Sequence, residues 1–260
     1  DDTIEGLTRI KAAQTDLAAA LLADDVPVPQ IQGLLTEINA DLHRRALQRT
    51  IDEMSADGWG TPPVPFALMV MGSAGRGESA LAPDQDNGFI LADHDDAHRA
   101  RFDAYFGALA ERFSALLAEI GFAICRGGVM ASNPQWRRRL SDWKAEIGRW
   151  IDQRTPQHLL ASDILLDFSH VGGERALSDA LRTFITETLS ASPRFVRDLY
   201  AIESDHTVAL GWFGRLRAEP DDDSAAHGMN LKMSGTLPLV EGARLLSLGA
   251  GVASTGTLSR

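Results

Sequence analysis

Apolar residues recur at helical spacing through the opening part of the chain: Ile4, Leu7, Ile10, Leu17 and Leu21, then Ile31, Leu34, Leu35, Ile38 and Leu42. This period predicts two helices, over 4–23 and 29–57. Pro27 and Pro29 mark the break between them, and Asp57-Gly58 with Pro62-Pro63-Pro65 ends the second. Short, continuous apolar runs then alternate with longer amphipathic ones. They predict a strand at 66–71, a helix start near 75, a strand at 87–92, a helix at 97–120, a strand at 122–125, a helix at 134–151 and a strand at 163–169. Such alternation defines an α/β domain, a mixed sheet flanked by helices. From 174 to 216 the periodic runs are long and helical, with Pro193 opening one of them; Pro220 to Ser224 reads as a solvated acidic loop, and 229–250 as a further helix. The expected divisions are an N-terminal helical segment (1–60), the α/β domain (61–173) and a C-terminal helical domain (174–260).

Composition narrows the class without identifying it. The 260 residues are 44% hydrophobic and 23% charged, ordinary values for a globular protein with a proper core. No apolar run approaches a membrane span and no leader pattern opens the chain. A net charge of −11 opposes binding to DNA or long RNA. Cys125 stands alone, which excludes an internal disulfide and points to the reducing cytoplasm. The chain begins Asp1-Asp2, as expected of a piece excised from a longer protein with upstream modules.

The chemistry concentrates in two neighbouring segments. In Met71-Gly72-Ser73-Ala74-Gly75-Arg76-Gly77-Glu78, the glycines let the backbone turn with its N–H groups outward, and Ser73 and Arg76 add a hydroxyl and a fixed cation. That surface suits a polyphosphate. In Asp84-Gln85-Asp86-Asn87, the two aspartates lie two apart at the mouth of an apolar strand, so their side chains leave the same face, with Cα atoms roughly 6.5–7 Å apart. Two carboxylates so placed can share divalent cations, and Mg²⁺ needs only one or two carboxylates when substrate phosphates supply the rest. Taken alone, the first segment also reads as a strand-to-helix turn, and the second as an Asx turn after Pro83.

An apolar residue, Gly-Ser, a spacer of about ten residues and Asp-x-Asp before an apolar strand resembles the signature of the DNA polymerase β nucleotidyltransferase superfamily. More narrowly, Gly-Ser-x-Gly-Arg-Gly-Glu with Asp-Gln-Asp-Asn is similar to nucleotidyltransferases attached to CBS or cyclic-nucleotide-binding modules, relatives of the bacterial PII-uridylyltransferases. The segments from Gly127 to Trp136 and Pro238 to Leu246 share that similarity. The resemblance implies a nucleotidyltransferase fold, Mg²⁺ or Mn²⁺ as cofactor, a nucleoside triphosphate as substrate and a helical substrate-binding domain at the C-terminal end. It implies metal ligation by Asp84 and Asp86, and phosphate binding by Gly72, Ser73 and Arg76. It also implies a third carboxylate, for which Asp167 in Leu165-Leu166-Asp167-Phe168 is the candidate, ligating the catalytic metal and orienting or deprotonating the attacking hydroxyl. Asp163, four residues earlier, competes for that place. Lys232 and Arg244, in the helical part, are candidates for phosphate contact. The resemblance leaves the acceptor open, since relatives modify signalling proteins, glutamine synthetase, small antibiotics or RNA ends; a protein is the first expectation because the family's neighbours are regulatory modules.

Several other clusters invite a chemical reading. His94 and His98 share a helix face at zinc-ligand spacing, although Asp95 and its neighbours also read as a polar loop with an N-cap. Arg137-Arg138-Arg139 could grip phosphate or make structural ion pairs. Trp136, Trp143 and Trp150 recur every seven residues, as core residues of one helical stripe do. Two readings from other classes stand beside transfer: a nucleotide sensor without turnover, and a homodimeric scaffold built on residues 1–57.

Overall fold

The strand Phe66–Val70 organises everything else, because side chains alternate faces along it and both faces are covered. Phe66, Leu68 and Val70 enter one apolar cluster; Ala67 and Met69, followed by Met71, enter another. The computed structural model describes residues 2–203, 219–220, 227–228 and 230–260. Among them the elements in chain order are α1 (Ile4–Ala12), α2 (Gln14–Ala23), α3 (Val28–Ala56), β1 (Phe66–Val70), α4 (Gly72–Gly75), β2 (Asn87–Leu91), α5 (Arg99–Ile120), β3 (Arg137–Arg139), α6 (Leu140–Gln153), α7 (Pro156–Leu166), β4 (Ser169–Gly173), α8 (Arg175–Ser190), α9 (Pro193–Glu203), the two-residue strands β5 (Glu219–Pro220) and β6 (His227–Gly228), and α10 (Leu237–Gly249). A π-helical stretch, Lys232–Thr236, leads into α10.

The main sheet has the order β3-β2-β1-β4, with β1 antiparallel to β2 and β4, and β2 parallel to β3. This is the expected mixed sheet between helical layers. On one face, α1, α3 and α5 supply Leu7, Leu42, Met54, Phe106 and Phe113 against Phe66, Leu68 and Phe89. On the other, α6 to α10 supply Trp143, Ile147, Leu165, Leu181, Phe195 and Leu245 against Ala67, Met69 and Ile90. The three tryptophans are core residues, and Trp143 also donates its indole N–H to the Phe89 carbonyl at 3.1 Å. α1 and α3 pack on α5 and α2 packs on α3, which covers Ile4, Leu7, Ile31, Leu35, Ile38 and Leu42 and leaves Ile10 and Leu34 exposed.

Several element expectations are corrected. The first helix is broken at Ala13 into α1 and α2. The helix start near 75 is a single turn, and the strand at 122–125 reduces to one bridge between Ala123 and Asp84. The helix expected over 134–151 begins only at Leu140. Before it, Pro134–Trp136 forms a 3₁₀ turn, and the three arginines form an edge strand because β2 offers them an open parallel register. The strand expected over 163–169 is the end of α7 up to Leu166, followed after Asp167 and Phe168 by β4. Thr155 caps that helix by accepting from the His158 amide, and Pro156 occupies its first turn, two start signals that outweigh a short apolar run. In the helical region expected over 174–216, residues 204–216 lie outside the described residues, as do 221–224 of the acidic loop.

His43 sits inside the first core layer, its ring edge-on to Phe113 and Phe122 and its Nδ1 2.7 Å from the Asn39 carbonyl, to which it donates as the neutral tautomer. Burial lowers its pKa from 6.5 to about 4. Unfolded chains therefore bind a proton at this residue that the fold refuses, and stability falls as pH drops from 6.5 toward 4. By pH 5 the loss is about 2 kcal/mol at 1.36 kcal/mol per pH unit. Urea unfolding of the wild type and His43→Gln at pH 7 and pH 5 is expected to show the wild type losing that much more than the variant.

Candidate functional site

The site is assembled where β1 ends and β2 begins. The Met71 amide donates to the Asp86 carbonyl at 2.9 Å, extending the β1–β2 ladder by one rung and setting the glycine turn beside the aspartate pair. Gly72 adopts φ +60°, and a Cβ there would stand 3.1 Å from Asp86 Oδ2, so the backbone of the turn lies directly against the carboxylate. Gly75 is required for a different reason. Its Cβ would collide with the Asp167 carbonyl oxygen at 1.8 Å, because α4 packs backbone to backbone on the residue that follows α7. The amides of Gly75, Arg76, Gly77 and Glu78 are used within the turn. The first amides of any helical turn have no partner inside it.

Asp84 and Asp86 are held outward by the residues between and after them. Gln85 is fully buried, donating its side-chain amide to the Ser114 and Phe122 carbonyls at 3.1 and 3.2 Å. Asn87 is also fully buried and accepts from the Ala131 amide at 3.0 Å. Alternation then turns Asp84 and Asp86 to the other face, Asp84 exposed and Asp86 half-buried. Burial raises the Asp86 pKa. The thiol of Cys125 beside it opposes that shift, the nearby charge of Asp84 adds to it, and the Lys232 ammonium opposes it. Lys232, at the start of the π-helical stretch, is thus brought to the same carboxylate. Gln85, Asn87 and Cys125 had no site role in the sequence reading. The polar residues alternating with the aspartates were the available signal for the first two.

Asp167 is placed differently from its neighbours in the expectation. Its side chain is fully buried and surrounded by cations: Arg76 and Arg244 each reach Oδ2 at 3.0 Å, and Arg260 pairs with Oδ1. Arg76 also bonds Glu78 through Nε at 2.9 Å. The competing Asp163 lies in α7 and pairs with Arg244. Asp84, Asp86, Lys232 and Gly72 therefore come together, whereas Asp167 and Arg76 belong to an arginine-rich cluster behind the turn. Among the described residues no group of three or more His, Cys, Asp or Glu side chains is gathered for a metal.

The remaining candidates resolve into structure. His94 and His98 both rest on Phe102, and Asp95 caps the following turn by accepting from the Ala97 amide. A cavity of about 380 Å³ at the Leu91 end of β2, away from the aspartates, is lined by Arg99, Arg137, Arg138, Arg139 and Arg149. Its arginines are mostly paired: Arg139 with Asp96 and Asp142, Arg99 with the same two, Arg138 and Arg149 with Glu146. Arg137 bonds the Ala131 carbonyl at 2.5 Å. No helix among the described residues is long and apolar enough to cross a membrane.

A mixed four-stranded sheet with a glycine turn after its central strand and an aspartate pair at the mouth of the next defines a nucleotidyltransferase-type protein. A family model described as "Putative nucleotidyltransferase DUF294" matches residues 12–157, more than half of the chain, and one described as "Putative nucleotidyltransferase substrate binding domain" matches residues 193–260. The chain belongs to that nucleotidyltransferase family. No curated protein matches it.

The raised pKa of Asp86 has a measurable consequence. The fold disfavours its charged form, so above the ordinary carboxylate range Asp86 destabilises the chain when no cation is present, and the penalty disappears as pH falls through its raised value. In EDTA at neutral pH, Asp86→Asn is expected to raise Tm, because the amide carries no charge for the fold to disfavour. Lowering the pH toward 4 should shrink that gain, and a variant less stable than wild type at neutral pH would contradict the assignment.

Proposed function

We propose that the chain transfers a nucleoside monophosphate from a nucleoside triphosphate to an acceptor hydroxyl, releasing pyrophosphate. The observation that supports this most directly is the contact between the Gly72 backbone and the Asp86 carboxylate, which sets a polyphosphate-binding turn against a cation-binding pair. Asp84 and Asp86 would hold Mg²⁺, or Mn²⁺, with the nucleotide phosphates completing its oxygen shell. The donor set fits: two outward carboxylates, one of them destabilised in its charged form until a cation arrives. A bound divalent cation would supply charge neutralisation at the reacting phosphate.

In this reading the chain's own groups bind and orient. The backbone of Gly72 and Ser73 and the guanidinium of Arg76 receive the β and γ phosphates, and Lys232, whose charge is felt at Asp86, adds a further exposed cation. Positioning and charge stabilisation supply most of the catalysis in phosphoryl transfer, which is why such groups suffice. Asp167 enters through its hold on Arg76. The metal-ligand and base roles implied by resemblance have no support in an arrangement that surrounds its carboxylate with three guanidiniums. Residues 61–173 carry this chemistry and residues 174–260 form the substrate-binding part. A protein hydroxyl is the acceptor we propose, from the similarity to enzymes attached to regulatory modules and to PII-uridylyltransferases.

The same surrounding of Asp167 favours a second reading, a nucleotide sensor that binds without turnover. Incubation with each α-labelled nucleoside triphosphate, Mg²⁺ and host lysate separates the two. Transfer of label by the wild type, reduced about a thousandfold in Asp84→Asn and Asp86→Asn, is the expected result, since several kcal/mol of transition-state stabilisation passes through such a clamp. Nucleotide binding without any transfer would select the sensor, and undiminished transfer by either variant would refute the site.

A further inference from the structure

We infer that Arg260, together with Arg244, positions Arg76 for the nucleotide by keeping Asp167 neutralised when Arg76 turns away from it. This inference rests on the nucleotide reading of the glycine turn. Arg76 is the one basic side chain of that turn, yet its Nη1 is bonded to Asp167 and its Nε to Glu78. To reach a phosphate it must release a carboxylate with no solvent exposure, and a buried carboxylate left without any cation is strongly destabilising. Asp167 has two further cations. Arg244 reaches Oδ2 from α10 and Arg260 reaches Oδ1, so the carboxylate remains paired after Arg76 departs.

Exposure singles out which of the three can move. The Arg244 and Arg260 side chains are 3% and 2% exposed, whereas Arg76 is 15% exposed. Arg244 is further fixed by Asp163, and Arg260 by donating Nε to the Ser254 carbonyl at 3.1 Å. Arg182, half-buried on α8, adds positive charge at the same carboxylate and donates to the Leu166 and Phe168 carbonyls at 2.9 and 2.7 Å.

The segment carrying Arg260 also grips the turn itself. Thr255 donates its hydroxyl to the Gly75 carbonyl at 2.8 Å, and the Thr257 amide donates to Glu78 Oε1 at 2.7 Å, leaving Oε2 to Arg76. Both acidic partners of Arg76 are therefore secured by residues 255–260, which meet the turn across 179 and 180 positions and Asp167 across 93, and lie within the part matched as substrate-binding.

A double-mutant cycle on the full chain tests the inference, with ATP in Mg²⁺ as the probe and calorimetry as the readout. Arg76→Gln and Arg260→Gln should each weaken binding about tenfold, and the double variant should be no weaker than Arg76→Gln, because Arg260 acts through Arg76. Arg260→Lys, which keeps the cation and is the variant to use in the cycle if Arg260→Gln does not fold, should stay within about threefold of wild type and have no effect in the Arg76→Gln background. Additive losses, near a hundredfold in the double variant, or wild-type affinity in Arg260→Gln, would overturn the positioning role. Failure of the wild type to bind any nucleoside triphosphate would overturn the nucleotide reading itself, a result distinct from an additive cycle.

Discussion

One hydrogen bond, from the Met71 amide to the Asp86 carbonyl, decides whether this protein has a site at all. It is the rung beyond the last paired residues of β1 and β2, and it stands where both strands leave the sheet. Everything on its β1 side is glycine turn and everything on its β2 side is aspartate pair. The cores on either face of the sheet exist, in functional terms, to hold that rung: Phe66, Leu68 and Phe89 from one side, Met69, Met71 and Ile90 from the other. Because such interiors are close-packed, a displacement of either strand would be resisted by both layers together.

The parts of this arrangement that were legible in the sequence are those carried by local patterns. The runs Phe66–Val70 and Asn87–Leu91 are short, apolar and bounded by turn residues, and the Gly-Ser to Asp-x-Asp interval is an arithmetic spacing. Asp163 to Phe168 was ambiguous, since an apolar run of that length fits a strand or the end of a helix, and only the Thr155-Pro156 start resolves it. Arg137 to Arg139 has no apolar signature whatever; its strand character comes from the parallel register that β2 imposes at Phe89 to Leu91. The arginine cluster was illegible for a further reason. Arg260 meets Asp167 across 93 residues, and no periodicity reports a contact of that kind.

That cluster also shows how two sequence regions divide a task. The α/β part supplies a buried acid and a mobile cation, Asp167 and Arg76. The helical part supplies the fixed cations that make the acid tolerable in the interior. Neither half is electrostatically complete alone, since Asp167 without its partners and a pair of buried guanidiniums without Asp167 are both costly. Their docking is therefore specified by charge as well as by the packing of α8 on β1 and α6 and of α9 on α7.

The inward amides of Gln85 and Asn87 carry a consequence for how the chain finds its fold. A slip of one residue in the β1–β2 register would reverse the facing of the whole segment, driving Asp84 and Asp86 into the space that Gln85 and Asn87 fill and turning two hydrogen-bonded amides out to water. The wrong pairing would bury two charges where no cation waits. Molecules that misalign this hairpin are thus discarded by their own instability, and the population that survives folding presents its aspartates outward.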